Sequence, residues 1–140
     1  MTKKNKQSQK KQVYAKLPKW NLGDLYPSIN SKKINFDLDS IERLSKSFEK
    51  KYENKISKLS SLQLYNAILE LEKIDEMMDK ILSYSHLLVA ENLDNEKNKI
   101  FFQKMQEKIT NFSSFLIFFT LELNQLSEKK INFLFKNNKI

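Results

Sequence analysis

Cysteine is absent from this 140-residue chain, which has only one histidine, one glycine, one tryptophan, one arginine and two prolines. Without cysteine there is no disulfide framework and no thiolate nucleophile or metal ligand, which suits a reducing compartment, so the cytoplasm is the expected location. The lone histidine, His86, excludes HExxH, other multi-histidine zinc sites and any Cys–His pair within the chain. A Ser-His-Asp triad would need Ser83 or Ser85, both beside His86 in a helical repeat, so His86 reads as an ordinary helix residue making a local hydrogen bond. The lone Gly23 cannot build a glycine-rich phosphate loop. Long apolar runs are also missing. The longest uncharged stretch, Ile109 to Leu121, is 13 residues, short of the roughly 20 that cross a bilayer. Val13 to Leu17 is too short for a signal-peptide core and contains Lys16, so export by that route is not expected.

Acids are absent from the first 19 residues, where Lys3, Lys4, Lys6, Lys10, Lys11, Lys16 and Lys19 give +7; the remaining residues carry 18 basic and 17 acidic groups, a net of +1. The total of +8 is therefore a property of the tail, and the body is nearly neutral. A Lys/Gln/Ser tail that buries so little apolar surface is expected to be disordered over residues 1–16. It lacks arginine and interleaved aromatics that would stack on bases, so neither nucleic acid nor a membrane is an expected partner.

Both prolines, the glycine and the tryptophan fall together in Pro18-Lys-Trp-Asn-Leu-Gly-Asp-Leu-Tyr-Pro27, and the 113 residues that follow contain neither proline nor glycine. The punctuation divides the chain into the tail, an irregular aromatic strap over 17–30 and a helical body over 31–140. The expected fold is all-α, an antiparallel helical bundle of three to five helices. Ser31 reads as an N-cap, and Ile34, Leu38, Ile41, Ser45, Phe48 and Tyr52 recur at steps of four and three, forming an amphipathic helix that stops near Asn54. Ser60 and Gln63 form a capping box, with Leu59 and Leu64 as a hydrophobic staple. Leu64, Ile68, Leu71, Met78, Ile81, Leu82, Ser85 and Leu88 then carry one long helix, or two collinear ones, as far as Ala90.

Asp94 reads as the cap of a third long helix, with Glu96 in its first turn and Phe101, Met105, Ile109, Phe112, Leu116, Phe119 and Leu123 in one stripe. Phe115, Ile117, Phe118 and Leu121 place apolar groups around the rest of its circumference, so this helix needs cover on more than one side. Ser127 caps a short final helix carrying Ile131, Leu134 and Phe135, and the chain ends at Ile140 without a polar tail. The Met77-Met78 pair reads as core filler. Glu70, Glu72, Asp75, Glu76 and Asp79 alternate with Lys73 and Lys80 and read as a solvated face. No catalytic, cofactor-binding or metal-binding residue is assigned in this chain.

Trp20-Asn-Leu-Gly-Asp-Leu-Tyr-Pro27, followed by Phe36-Asp-Leu and Phe48-Glu-Lys-Lys-Tyr52, resembles the amino-terminal region of the oligoendopeptidase F family. Collinear pieces extend the resemblance over about residues 17–136: Tyr84, Leu87, Leu88, Ala90 and Asp94, then Phe118-Phe119-Thr-Leu-Glu-Leu-Asn124 and Leu126-Ser-Glu-Lys. The resemblance implies a relative of thimet oligopeptidase-like zinc metallopeptidases, which cleave oligopeptides in a deep channel between mostly helical halves. In that family zinc is held by HExxH and a downstream glutamate, far beyond the matching segment, so no catalytic role passes to any residue here. What it implies for residues 31–140 is a wall or cap of the channel, inactive alone, partnered by a catalytic domain, with oligopeptide as the substrate of the whole. The apolar third helix and the ending at Ile140 fit a fragment of a larger protein. Trp20, Leu22, Leu25 and Tyr26 are expected to anchor the strap, and a core Trp20 would cost about 3 kcal/mol or more on truncation to alanine. The alternative is a free-standing interaction module whose apolar third helix docks a partner helix or a second copy.

Overall fold

The computed structural model describes residues 20–136. The Lys-rich tail, Pro18 and the last four residues lie outside them. The described residues form an all-α bundle of five helices: α1 (Lys32–Tyr52), α2 (Ser61–Glu91), α3 (Glu96–Ser114), α4 (Ile117–Asn124) and α5 (Glu128–Lys136), with a 3-10 turn at Ile56–Lys58. α1 and α3 each run antiparallel to α2 and parallel to one another. The contacts that fix these directions are Tyr52 with Glu70 and, at the other end of α1, Tyr26 bonded to Asp37 and packed on Tyr84; for α3 they are Ser113 with Met78 and Phe101 with Tyr84.

The starts of the helices follow local chemistry. Ser31 caps α1, its hydroxyl accepting from the Lys33 amide at 3.3 Å. Ser60 and Gln63 form the reciprocal capping box of α2, and Leu59 is half-buried against the same core as Leu64. α2 is a single helix of 31 residues, without a break in its charged middle. α3 is capped by Asn95 rather than Asp94: the Asn95 side chain accepts from the Asn98 amide at 3.2 Å, because it stands directly before the first helical residue. Ser127 accepts from the Lys130 amide at 3.3 Å at the head of α5.

The apolar segment after α3 is not one long helix. The ladder breaks at Phe115–Leu116, where Phe115 and Leu116 bond back only three residues, to Phe112 and Ser113. Neither proline nor glycine causes the break. The Ser113 and Ser114 hydroxyls donate to the carbonyls of Ile109 and Asn111, at 2.9 and 2.6 Å, competing with the helical ladder where it gives way. The redirected α4 passes over the C-terminal end of α1, where Phe118 and Phe119 stack at a tilt on Phe48, 5.9 and 5.5 Å between centroids.

The core is continuous from the strap to α5. In α1 the buried residues are Ile34, Leu38, Ile41, Ser45, Phe48 and Tyr52, the stripe that periodicity defines. In α2 burial extends beyond the expected stripe to Ala67, Ile74 and Tyr84, because α1, α3 and α5 all pack on this helix. Fully covering one such aliphatic or aromatic side chain is worth about 1.5–3 kcal/mol.

Residues 20–30 fold as two successive turns against the bundle. The Leu22 carbonyl accepts from the amides of Leu25 and Tyr26, at 3.0 and 3.2 Å, and the Asn21 side chain accepts from the Gly23 amide at 3.1 Å. Gly23 serves close approach, since a Cβ there would meet the Asn21 side-chain oxygen at 3.0 Å. Tyr26 is the anchor, with 1% of its surface exposed, and Leu22, Leu25 and Ile29 are half-buried beside it. Trp20 is not an anchor: it precedes the first turn, and 52% of its surface is exposed.

Candidate functional site

The polar groups brought together by the fold gather where the end of α1 meets the start of α2. Lys51, Tyr52, Leu59, Gln63, Asn66, Leu69 and Glu70 line an open groove of about 510 Å³ there. One Glu70 carboxylate oxygen accepts from both the Lys51 ammonium, at 2.5 Å, and the Tyr52 hydroxyl, at 2.9 Å. The Lys51 ammonium also lies 4.7 Å from the centre of the Tyr52 ring. Glu70 is thus a half-buried partner of two groups across the helix interface and not part of the solvated face expected of the acidic run. Glu72, Asp75, Glu76 and Asp79 are exposed.

The electrostatics of this cluster favour a structural tie over proton transfer. The hydrogen bond from Lys51 to Glu70 raises the lysine above its ordinary value, so the amine stays charged and is a poor nucleophile. Burial raises the Tyr52 phenol, which therefore stays protonated. A general base or acid needs a pKa brought toward the working pH, and both shifts run away from it. On the outer face of α2, the cost of leaving water and the neighbouring Asp79 carboxylate raise Asp75. Asp75 is exposed there and does not line the groove.

The remaining sequence candidates are dispersed. His86 is exposed, its ring 5.7 Å from that of Phe102, and its neighbour Ser85 is buried with its hydroxyl donated to the Leu82 carbonyl at 2.9 Å. Ser83 is exposed. Met78 is buried and Met77 half-buried in the core, and the Met78 sulfur lies 3.5 Å from the Ser113 hydroxyl oxygen. Zinc held by imidazole or carboxylate needs several convergent ligands, and among the described residues no three His, Cys, Asp or Glu side chains converge. The described residues do not fit the zinc that the peptidase resemblance implies. No helix among the described residues is long and apolar enough to cross a membrane.

A second carboxylate, Glu122 of α4, reaches the other end of the same junction. Its oxygens accept from the backbone amides of Asn54, at 2.5 Å, and Ile56, at 3.2 Å. Asn54 is left-handed, with φ of 61°, a conformation that asparagine tolerates better than most residues. Sequence reasoning missed Glu122 because the contact spans 66–68 residues and depends on the break before α4.

The outer surface carries several apolar groups on the last two helices. Ile117 and Leu121, one turn apart on α4, are 57% and 55% exposed, and Phe133 and Phe135 on α5 are 57% and 51% exposed. No family model matches this chain, and no curated protein or solved structure gives a significant match to it.

Proposed function

We propose that this chain is a non-catalytic helical domain of an oligoendopeptidase F-like zinc peptidase, forming part of the wall or cap of its peptide channel in the cytoplasm and inactive alone. The observation that carries the reading is that Ile117 and Leu121, one turn apart on α4, stay exposed together, and that Phe133 and Phe135 of α5 are exposed as well. Two adjoining apolar side chains such as Ile117 and Leu121 offer a place for a further body to pack. The strap supports the same reading. Its Tyr26, from the most distinctive string of the resemblance, is built into the core and is not a free loop residue.

The test is complementation. An oligoendopeptidase F chain lacking its own amino-terminal helical region is mixed with this chain, with zinc and a quenched fluorescent oligopeptide. Chelator-sensitive cleavage is expected from the mixture and from neither component alone. Turnover by this chain alone, or no gain on mixing, overturns the proposal.

The pair Ile117 and Leu121 also favours a second reading, a free-standing interaction module that docks a partner helix through α4. Under that reading mixing restores no activity, and Ile117→Lys with Leu121→Lys abolishes association with the partner helix or with a second copy.

A further inference from the structure

Parallel helices packed on a common third helix leave a furrow between them, and the first turns of α1 and the middle of α3 enclose one of about 400 Å³. This is within the size range of small-ligand sites. Its floor is the buried surface of Ile34, Leu38 and Met105, while Ile29 and Phe101 line it and remain half-exposed. Asn30 and Asn35 line the α1 side, and Lys104 and Lys108, one turn apart, line the α3 side.

Two lysines line one side of this furrow. Among the described residues neither Lys104 nor Lys108 forms an ion pair. Glu42, whose carboxyl pKa is lowered first by Lys46 and to a lesser degree by the charge of Lys108, is bonded to Lys46 at 2.6 Å. Two lysine side chains therefore line a partly apolar furrow without a bonded counter-charge. The asparagine amides opposite each offer a donor and an acceptor, which match a peptide group and find nothing to bond on an alkyl chain.

We propose that the furrow between α1 and α3 binds a short acidic peptide segment, with an apolar side chain against Ile29 and Phe101 and flanking carboxylates on Lys104 and Lys108. The Asn30 and Asn35 amides hold the peptide backbone. This site lies on α1 and α3, away from the exposed residues of α4 and α5, and does not depend on the channel reading.

A nitrogen–proton correlation titration of the full chain with an unlabelled hexapeptide of alternating glutamate and leucine tests it. Saturable shifts are expected at the amides of Asn30 and Asn35, with affinity in the micromolar to millimolar range. Lys104→Glu with Lys108→Glu is expected to weaken binding by about tenfold or more. Lys104→Gln with Lys108→Gln, which keeps much of the packing stem, is expected to lie between it and the wild type, and Lys51→Gln, in the other groove, leaves binding unchanged. Circular dichroism verifies that each variant is folded. Equal shifts from a lysine–leucine hexapeptide, shifts confined to other residues, or no saturable shift overturn the proposal. So does binding of dodecanoate or a single-stranded RNA at these amides when the acidic peptide leaves them unmoved.

Discussion

The Tyr26 hydroxyl donates to the Asp37 carboxylate at 2.7 Å, tying the turn before α1 to the second turn of α1 itself. The ring beneath that hydroxyl is held on two further sides, by the edge of Tyr84, 5.1 Å between centroids, and by the Lys80 ammonium at 4.8 Å. A hydrogen bond to a charged group is worth about 1.5–3 kcal/mol. Tyr26→Phe, which keeps the ring, is expected to cost about 1.5 kcal/mol because Asp37 is only half-buried and can turn to water. Tyr26→Ala is expected to cost about 3–5 kcal/mol. Trp20→Ala, at an exposed site, should stay within about 0.5 kcal/mol. Urea midpoints of the three variants check the ranking.

The same tyrosine makes stability depend on pH at the alkaline end. Burial first, and then the hydrogen bond to Asp37 and the charge of that carboxylate, raise Tyr26 far above the ordinary tyrosine value of 10.0. The folded state therefore holds this proton after the unfolded chain has lost it. The stabilisation is complete below pH 10.0 and is lost as the pH rises beyond it, because the unfolded phenol ionises first. Tyr52 and Tyr84, both raised chiefly by burial, act in the same direction. Chemical denaturation between neutral and strongly alkaline pH is expected to show a fall in stability that is shallower in Tyr26→Phe.

Ser45 is fully buried in α1, and its hydroxyl has no hydrogen-bond partner. A buried polar group left unpaired costs about 1–3 kcal/mol. Ser45→Ala removes the hydroxyl and keeps the small volume, so it is expected to stabilise the bundle by about 1 kcal/mol. Ser45→Leu is expected to destabilise by about 1–3 kcal/mol, since the close-packed site has no room for the extra carbons. Thermal unfolding of the two variants should move in opposite directions.

Glu122→Gln keeps an acceptor for one amide and loses the charge on both bonds, with an expected cost of about 1 kcal/mol; Glu122→Ala is expected to cost about 2 kcal/mol. At Asn54 the left-handed backbone sets the order. Asn54→Gly should be close to neutral, and Asn54→Ala should cost about 1 kcal/mol from backbone strain. Equilibrium denaturation of the four variants measures both effects.

The legible parts of the fold are those set by neighbours in the chain. Caps at Ser31, Ser60 and Ser127, and the whole buried stripe of α1, depend on contacts within a few residues or on one period of burial. Ala67, Ile74 and Tyr84 escape a single-stripe reading because α2 is covered from three sides, so its apolar arc is wider than one stripe. The break at Phe115–Leu116 has neither proline nor glycine beside it, and its one local mark is the Ser113-Ser114 pair. Trp20 is exposed because it stands before the first turn, although its residue type favours burial. The polar junction was not legible at all: Glu70 looked like one acid among five, and only the α1–α2 register sets it against Lys51 and Tyr52.

The hold of Glu122 on the Asn54 and Ile56 amides makes those two protons reporters of an event elsewhere in the chain. Their exchange with deuterium requires the Glu122 contacts to open, so it reports on the seating of α4 on the end of α1 as well as on fraying of α1. Protection at these sites close to that of the bundle core would make the chain one cooperative unit, whereas faster exchange there would reveal α4 and α5 as a separately opening segment.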